Sequence, residues 1–180
     1  MTKAKSNVMA DFGLPIIVLV LICAIMSGLL AFTNGITAPI IEEAERKAAE
    51  EARLEVLPNA DSFLRVEIAD LPGSVTEVYQ AENGAGYTFS IVAQGYGGKN
   101  TLKMAVGIDM DGKITGTKVL DHKETAGLGS KITTDAFQGQ FPGKDASLEG
   151  VDNISGATFS SNYFRAAIAD AFAAFDMVTG

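Results

Sequence analysis

Cysteine and histidine are almost absent from this sequence, which contains one of each in 180 residues. A single cysteine excludes an internal disulfide, and one thiol with one imidazole cannot supply the ligands of a zinc or iron–sulfur centre. Basic residues are also few, with 14 Lys and Arg against 22 Asp and Glu and a net charge of −8. Nucleic-acid binding requires a basic surface, so this balance argues against a nucleic-acid partner.

A long uncharged segment lies near the N-terminus. No charged residue occurs between Phe12 and Ile41. The hydrocarbon core of a bilayer is about 30 Å thick, which a helix of about 20 apolar residues can span. We therefore predict a transmembrane helix over residues 14–40, in which Pro15 occupies the first turn, where proline is tolerated. A cleaved signal peptide is the alternative, but the apolar core is long for one and no clear cleavage site follows it.

The charges on either side of this segment predict its orientation. Two lysines precede it within the first five residues, and three glutamates follow it between residues 42 and 45. The positive-inside rule then places residues 1–13 in the cytoplasm and the chain beyond the membrane segment outside. Residues 41–58 are nearly all strong helix formers and end at a proline, so we expect a helical linker there.

The remaining residues, 59–180, have the pattern of an extracytoplasmic α+β domain. Four segments of strand-like composition are separated by glycine-containing turns, which predicts an antiparallel sheet. The four segments are residues 75–81, 87–94, 102–109 and 113–120. Helices predicted over 134–140 and 160–177 supply an apolar stripe to cover the sheet, and Ser160 or Ser161 is expected to cap the longer helix.

Residues 152–160, Asp-Asn-Ile-Ser-Gly-Ala-Thr-Phe-Ser, precede this longer helix and are called the attachment segment below. Gly156 and Ala157 add almost no bulk, so the hydroxyl of Thr158 is presented on an uncluttered turn. A phosphate joined to that hydroxyl would lie near free backbone N–H groups and the positive end of the helix dipole. From these residues alone, ordinary turn and capping roles for Ser155 and Thr158 remain an alternative.

A second segment follows the last predicted strand. Residues 122–129, called the loop segment below, read His-Lys-Glu-Thr-Ala-Gly-Leu-Gly. Taken alone it is weak evidence of a site, because a lone histidine such as His122 is more often a surface or hydrogen-bonded residue than a catalyst. No dinucleotide-binding fingerprint accompanies it.

Together the two segments resemble the FMN-binding proteins that form the G subunits of Rnf complexes. The attachment segment is similar to their flavinylation motif, in which the threonine of Ser-Gly-Ala-Thr carries FMN through a phosphoester bond. The loop segment is similar to their signature His-x-Glu-Thr-Pro-Gly-Leu-Gly, with Ala126 in place of proline. The resemblance implies an electron-transfer subunit of a membrane ferredoxin:NAD⁺ oxidoreductase that couples electron flow to the translocation of Na⁺ or H⁺.

The resemblance also implies which residues bind FMN. Thr158 would carry the cofactor, and Ser155, Gly156 and Ala157 would form the turn that presents it. In the loop segment, Glu124 and Thr125 would hydrogen-bond to the flavin, Leu128 would contact the isoalloxazine, and Gly127 and Gly129 would allow close approach of the backbone. No residue is predicted to be catalytic or to bind a metal. Five aromatic residues are considered as flavin neighbours, with core packing as the alternative for each: Tyr87, Tyr96, Phe137, Phe141 and Tyr163.

The partners implied are the other subunits of the complex, the lipid bilayer, and a flavin transferase that moves FMN from FAD to the protein. Because the redox chemistry belongs to the flavin, little activity is expected of the isolated chain. Two alternatives are considered. One is the C subunit of a Na⁺-translocating NADH:quinone reductase, which shares both segments but is usually longer. The other is a membrane-tethered binding or assembly module without a cofactor.

Overall fold

A computed structural model describes residues 13–180, so that nearly all of the predicted cytoplasmic segment 1–13 lies outside the described residues. The chain divides after Arg46 into two compact units. Helix α1, Leu14–Val56, covers both the predicted transmembrane segment and most of the predicted linker. Its apolar part has a mean hydropathy of 2.8, and by length and composition it can cross a bilayer.

The second unit is built on a five-stranded antiparallel sheet whose strands are adjacent in chain order. The strands are β1 (Phe63–Val66), β2 (Val75–Ala81), β3 (Gly86–Gly95), β4 (Gly98–Asp109) and β5 (Ile114–His122). The α+β fold class and the four predicted strands are confirmed. Strand β1 is not among them, because it has only four residues at the edge of the sheet and shows no alternation of buried and exposed side chains.

One face of the sheet packs against helix α3, Thr158–Thr179. Cross-strand pairs such as Phe89 opposite Val106 place large apolar side chains on this face. The predicted stripe of α3 is buried against it: Phe164, Ile168, Ala171, Phe172 and Phe175. The short helix predicted over 134–140 is confirmed as the four-residue helix α2, Asp135–Gln138, and a 3₁₀ helix that was not predicted, Gly129–Thr133, precedes it.

Helix α3 begins at Thr158, two residues before its predicted start, and Ala157 occupies the N-cap position. The capping role predicted for Ser160 or Ser161 is wrong, because both serines lie inside the first turn and are buried. The hydroxyl of Ser161 donates to the carbonyl of Ala157 at 3.1 Å and accepts from the N–H of Ile154 at 3.0 Å. These two bonds hold the attachment segment to the start of the helix.

The opposite face of the sheet packs against the last turns of α1. Gly107 and Gly116 are cross-strand partners, and Val56 lies on both. A Cβ atom on Gly107 would overlap the carbonyl oxygen of Val56, and one on Gly116 would be 2.9 Å from its Cα. The hydroxyl of Thr115 also donates to that carbonyl. The helix therefore approaches the sheet at a distance that only glycine permits.

Side chains around this contact extend it. Ala52 packs with Val56 and Ala105 in a small buried cluster. The guanidinium of Arg53 lies 3.8 Å from the ring centroid of Tyr79, and burial raises the pKa of the Tyr79 phenol. The C-terminal turns of α1 are thus part of the second unit, which begins at residue 47.

Candidate functional site

A cleft of about 310 Å³ lies between the attachment segment, the loop segment and the turn between β3 and β4. Its volume is at the lower end of the range for small-molecule sites, roughly 300–1,000 Å³. The residues that line it are Tyr96, Thr125, Leu128, Gly129, Gly156, Ala157, Thr158, Phe159 and Ser160. Six of the predicted site residues are therefore brought together here, although the two segments are about 30 residues apart in the chain.

The attachment segment turns sharply before α3. Gly156 has φ +80°, a left-handed conformation that side chains other than glycine rarely adopt. A Cβ atom at this position would meet only the Leu128 side chain, at an ordinary contact distance of 3.7 Å, so conformation and not space requires the glycine. Ser155 is exposed and does not line the cleft, Ala157 is buried, and Thr158 is exposed as the first residue of the helix.

The start of α3 offers hydrogen-bond donors to the cleft. Among residues 13–180 no side chain caps this helix, so N–H groups of its first turn are available to a ligand at Thr158. These groups and the helix dipole favour an anion such as a phosphate. No lysine or arginine is among the lining residues. Within residues 13–180, no three His, Cys, Asp or Glu side chains are grouped so that they could hold a metal ion.

The loop segment is shaped by its own hydrogen bonds. The N–H of Glu124 donates to Nδ1 of His122 at 3.2 Å. The carbonyl of Thr125 accepts from the N–H groups of Leu128 and Ser130, at 3.2 and 3.1 Å. Gly127 has φ +75° and donates its N–H to the Ser130 hydroxyl, so it shapes the turn and does not line the cleft. The turn projects Leu128 into the cleft.

The side chain of Glu124 lies behind the cleft rather than in its lining. One carboxylate oxygen accepts the backbone N–H of Tyr96 at 2.8 Å, and the other accepts the hydroxyl of Ser160 at 2.5 Å. A Cβ atom on Gly129 would be 2.5 Å from that second oxygen and 2.6 Å from the Ser160 hydroxyl. Gly129 therefore leaves the space in which the loop segment and α3 are joined.

Three exposed apolar side chains border the cleft: Tyr96, Leu128 and Phe159, with 62%, 48% and 66% of their surface accessible. The predicted site does not include Phe159, although its position directly after Thr158 indicated that it would lie close to the attachment point. Of the five aromatic residues considered as flavin neighbours, only Tyr96 lines the cleft. Tyr87, Phe137 and Phe141 belong to the core, while the half-buried Tyr163 accepts a hydrogen bond from Gln94 at 3.1 Å.

Comparison with known proteins places the chain in a family. Residues 95–173 match the family described as FMN-binding domain, and this range includes every residue that lines the cleft. The chain is 36% identical over 159 residues to the G subunit of the ion-translocating oxidoreductase complex of Methanosarcina acetivorans, covering 81% of this chain and 85% of the relative. It is 34% identical to the G subunit of the Na⁺-translocating ferredoxin:NAD⁺ oxidoreductase complex of Acetobacterium woodii, covering 74% and 70%.

A third relative extends the alignment over most of the chain. The G subunit of the proton-translocating ferredoxin:NAD⁺ oxidoreductase complex of Clostridium ljungdahlii is 25% identical over 90% of both proteins. The family expected from the attachment and loop segments is confirmed by these matches. The chain belongs to the family of G subunits of the ion-translocating, Rnf-type oxidoreductase complexes.

Proposed function

We propose that this protein is the electron-transfer subunit of a membrane ferredoxin:NAD⁺ oxidoreductase complex that translocates ions, and that it carries FMN on Thr158 through a phosphoester bond. One observation carries the site assignment. The exposed Thr158 begins α3 at a cleft that the loop segment completes. The relatives include complexes named for Na⁺ and for protons, so the coupling ion is one of these two.

The cleft has separate surfaces for the two ends of FMN. The uncapped start of α3 suits the phosphate, because backbone N–H groups and the helix dipole stabilise negative charge without a basic side chain. The exposed side chains of Tyr96, Leu128 and Phe159 suit an apolar ring system. Thr125 is in the lining and is the polar side chain that we assign to the flavin from the loop segment. FMN, once bound, supplies the electron-transfer chemistry.

Attachment is a transfer reaction that a separate flavin transferase performs. The hydroxyl oxygen of Thr158 forms a bond to the flavin-side phosphorus of FAD, and the bond between the two FAD phosphates breaks. AMP leaves with the electron pair of that bond, and the hydroxyl proton passes to solvent. Thr158 is exposed, as an acceptor in such a reaction must be, and the Gly156–Ala157 turn places little bulk beside it.

The attachment of FMN is tested by producing the full chain together with a flavin transferase that acts on proteins of this family. Wild-type protein is expected to retain flavin fluorescence after denaturation, and Thr158→Ala is expected to lose it. Thr76→Ala is the matched control, because Thr76 is an exposed threonine on β2 outside the cleft. Intact-protein mass before and after loading measures the same event. A wild-type chain that takes up no flavin in the presence of the transferase would support the alternative of a binding module without a cofactor.

The domain is further proposed to lie on the extracytoplasmic side of the membrane, with α1 as a retained anchor, residues 41–58 as a linker and 59–180 as the FMN-binding domain. Cys23 is the only cysteine, so a Cys23→Ser chain accepts a single reporter thiol. A thiol reagent that does not cross membranes is expected to label Lys99→Cys, at an exposed position of β4, in intact spheroplasts. Lys5→Cys is expected to react only after the membrane is opened. The reverse pattern would contradict the orientation.

A further inference from the structure

We propose that Glu124 is a positioning residue for flavin attachment: its carboxylate joins the β3–β4 turn to the first turn of α3 and so sets where Thr158 stands relative to the loop segment. The inference rests on the proposed function and assigns Glu124 a role different from the direct flavin contact that the family resemblance implies.

The hydrogen bonds of Glu124 supply the first step. Each of its two carboxylate oxygens has its own donor, the N–H of Tyr96 at 2.8 Å and the hydroxyl of Ser160 at 2.5 Å. The two donors come from different elements, and Ser160 is two residues beyond Thr158 in the same helical turn. Hydrogen bonds to an ionised acceptor are stronger than neutral ones and hold their partners at defined distances.

Two glycines, Gly95 and Gly129, leave room for the Glu124 carboxylate. A Cβ atom on Gly95 would be 2.5 Å from the oxygen that faces Tyr96, and a Cβ atom on Gly129 would be 2.5 Å from the oxygen that faces Ser160. Both glycines have φ outside the left-handed region, so neither is required by backbone conformation. The Glu124 carboxylate, together with the Thr101 hydroxyl beside Gly95 and the Ser160 hydroxyl beside Gly129, fills the place that their own side chains would take.

The serine that donates to Glu124 is buried. Ser160 is 3% exposed, so its hydroxyl would lose its charged partner in a place with little access to water if Glu124 were truncated. The first turn of α3 would then lack its tie to the β3–β4 turn. Because Tyr96 and Leu128 line the same cleft as Thr158, the tie also sets the separation between the attachment point and the apolar side chains.

The chain contains a matched control for this arrangement. Asp170, further along α3, accepts the backbone N–H of Ser74 at 2.8 Å and the Ser74 hydroxyl at 2.7 Å. It therefore uses one backbone donor and one serine hydroxyl, as Glu124 does, but away from the cleft. Asp170→Asn perturbs the tie between α3 and the residue that precedes β2, in which one carboxylate oxygen accepts both bonds, without touching the flavin site.

The experiment measures the initial rate of covalent flavin incorporation into the purified full chain by the transferase and FAD, for variants whose folding is checked by circular dichroism. Glu124→Ala is expected to lower the rate at least roughly tenfold, because it removes two hydrogen bonds to a charged group. Glu124→Gln is expected to stay within about threefold of wild type, because its amide can accept from Tyr96 and donate to the Ser160 oxygen. Asp170→Asn is expected to keep the wild-type rate.

Ser160 could matter in two ways: as the residue through which Glu124 positions Thr158, or as a residue that the transferase itself recognises. A double-mutant cycle distinguishes them. If Glu124 acts through Ser160, Ser160→Ala and the Glu124→Ala/Ser160→Ala double variant should incorporate flavin at similar rates. If the rate losses of the two single variants multiply in the double variant, the proposal is overturned. A wild-type rate in Glu124→Ala would also overturn it, as would a Glu124→Gln rate as low as that of Glu124→Ala. Flavin incorporation by wild type and Asp170→Asn keeps the proposed function intact in those cases. A wild-type chain that is never labelled overturns both.

Discussion

Gly107 and Gly116 lie opposite each other on β4 and β5, and Val56 from the last turn of α1 rests on both of them. This pair of glycines forms a groove in the face of the sheet that α3 does not cover. The groove admits the backbone of the helix itself, since the nearest atoms to a Cβ on Gly107 include the Val56 carbonyl oxygen. The contact joins the helix that enters the domain to the two strands that lead to the loop segment.

Gly107→Ala is expected to destabilise the domain by about 1–3 kcal/mol, because the added methyl group cannot avoid the Val56 carbonyl unless the helix or the strand moves. The free energy of unfolding of the full chain in detergent, followed by circular dichroism in denaturant, measures the change. Lys99→Ala on the exposed end of β4 is the control and should change stability by less than about 0.5 kcal/mol. Equal stability of the two variants would mean that the contact with Val56 is not maintained in solution.

A fragment that begins at residue 47 is expected to be more stable than one that begins at residue 59. Val56 and Leu57 are each 1% exposed, and burial of such side chains contributes about 1.5–3 kcal/mol each. The shorter fragment loses both and leaves the glycine groove open to water. Thermal unfolding of the two purified fragments makes the comparison, with the oligomeric state checked by light scattering. A shorter fragment with an unchanged melting temperature would contradict the prediction.

The exposed apolar side chains at the cleft are expected to affect the flavin more than the fold. Leu128→Ser and Phe159→Ser each remove apolar surface that is already accessible to solvent, so stability should change by no more than about 0.5 kcal/mol. In the flavinylated protein, both should alter the visible absorption and the reduction potential of the flavin, because water replaces an apolar neighbour.

Met110→Ser is the matched control for these two variants. Met110 is also exposed, at 53%, but lies in the turn between β4 and β5 and does not line the cleft. The absorption spectrum and the reduction potential of the flavin in Met110→Ser should match those in the wild-type protein. Identical spectra in all three variants would place the isoalloxazine elsewhere.

The stability of the protein is expected to fall in acid partly through Asp145. A hydrogen bond from the Lys113 ammonium, with further bonds from the hydroxyl and N–H of Ser147, holds the pKa of the Asp145 carboxyl well below its ordinary value of 3.8. The ionised form is thus favoured in the folded state, so its contribution is present above about pH 4 and is lost as the pH falls further. Melting temperatures measured between pH 7 and pH 2 should differ most between wild type and Asp145→Asn at neutral pH. A difference that stays constant with pH would exclude this origin.

Some parts of the fold could be predicted because their patterns are local. Alternation of large and small residues in β4 places Leu102, Met104 and Val106 on one face, and they are fully buried there. The stripe of α3 follows from helical spacing in the same way. The burial of the end of α1 could not be predicted in this way, because Val56 lies in a Glu-rich helix that has the composition of a solvated one. Its partners, the glycines of β4 and β5, are more than 50 residues away in the chain.

The site shows the same distinction between local and distant contacts. The segments that carry Thr158 and Leu128 could be identified from short motifs, whereas the contribution of Tyr96 to the hydrogen bonds of Glu124 could not. The backbone N–H of Tyr96 is the donor to Glu124, and any residue type except proline could supply it. The serines at the start of α3 were predicted as caps because of their residue type. The Ser160 hydroxyl instead donates to Glu124, a tertiary partner, and the Ser161 hydroxyl donates to the carbonyl of Ala157, four residues earlier.

The uncapped start of α3 has a consequence for maturation. Because no side chain in the described part of the protein caps its first turn, the helix begins with N–H groups that water or a ligand can satisfy. On the proposed attachment, the phosphate supplies the missing acceptor, and negative charge at a helix N-terminus contributes about 0.3–1 kcal/mol when exposed. Flavinylation would then complete the secondary structure as well as load the cofactor. The unmodified chain would then be the form with the less stable start of α3.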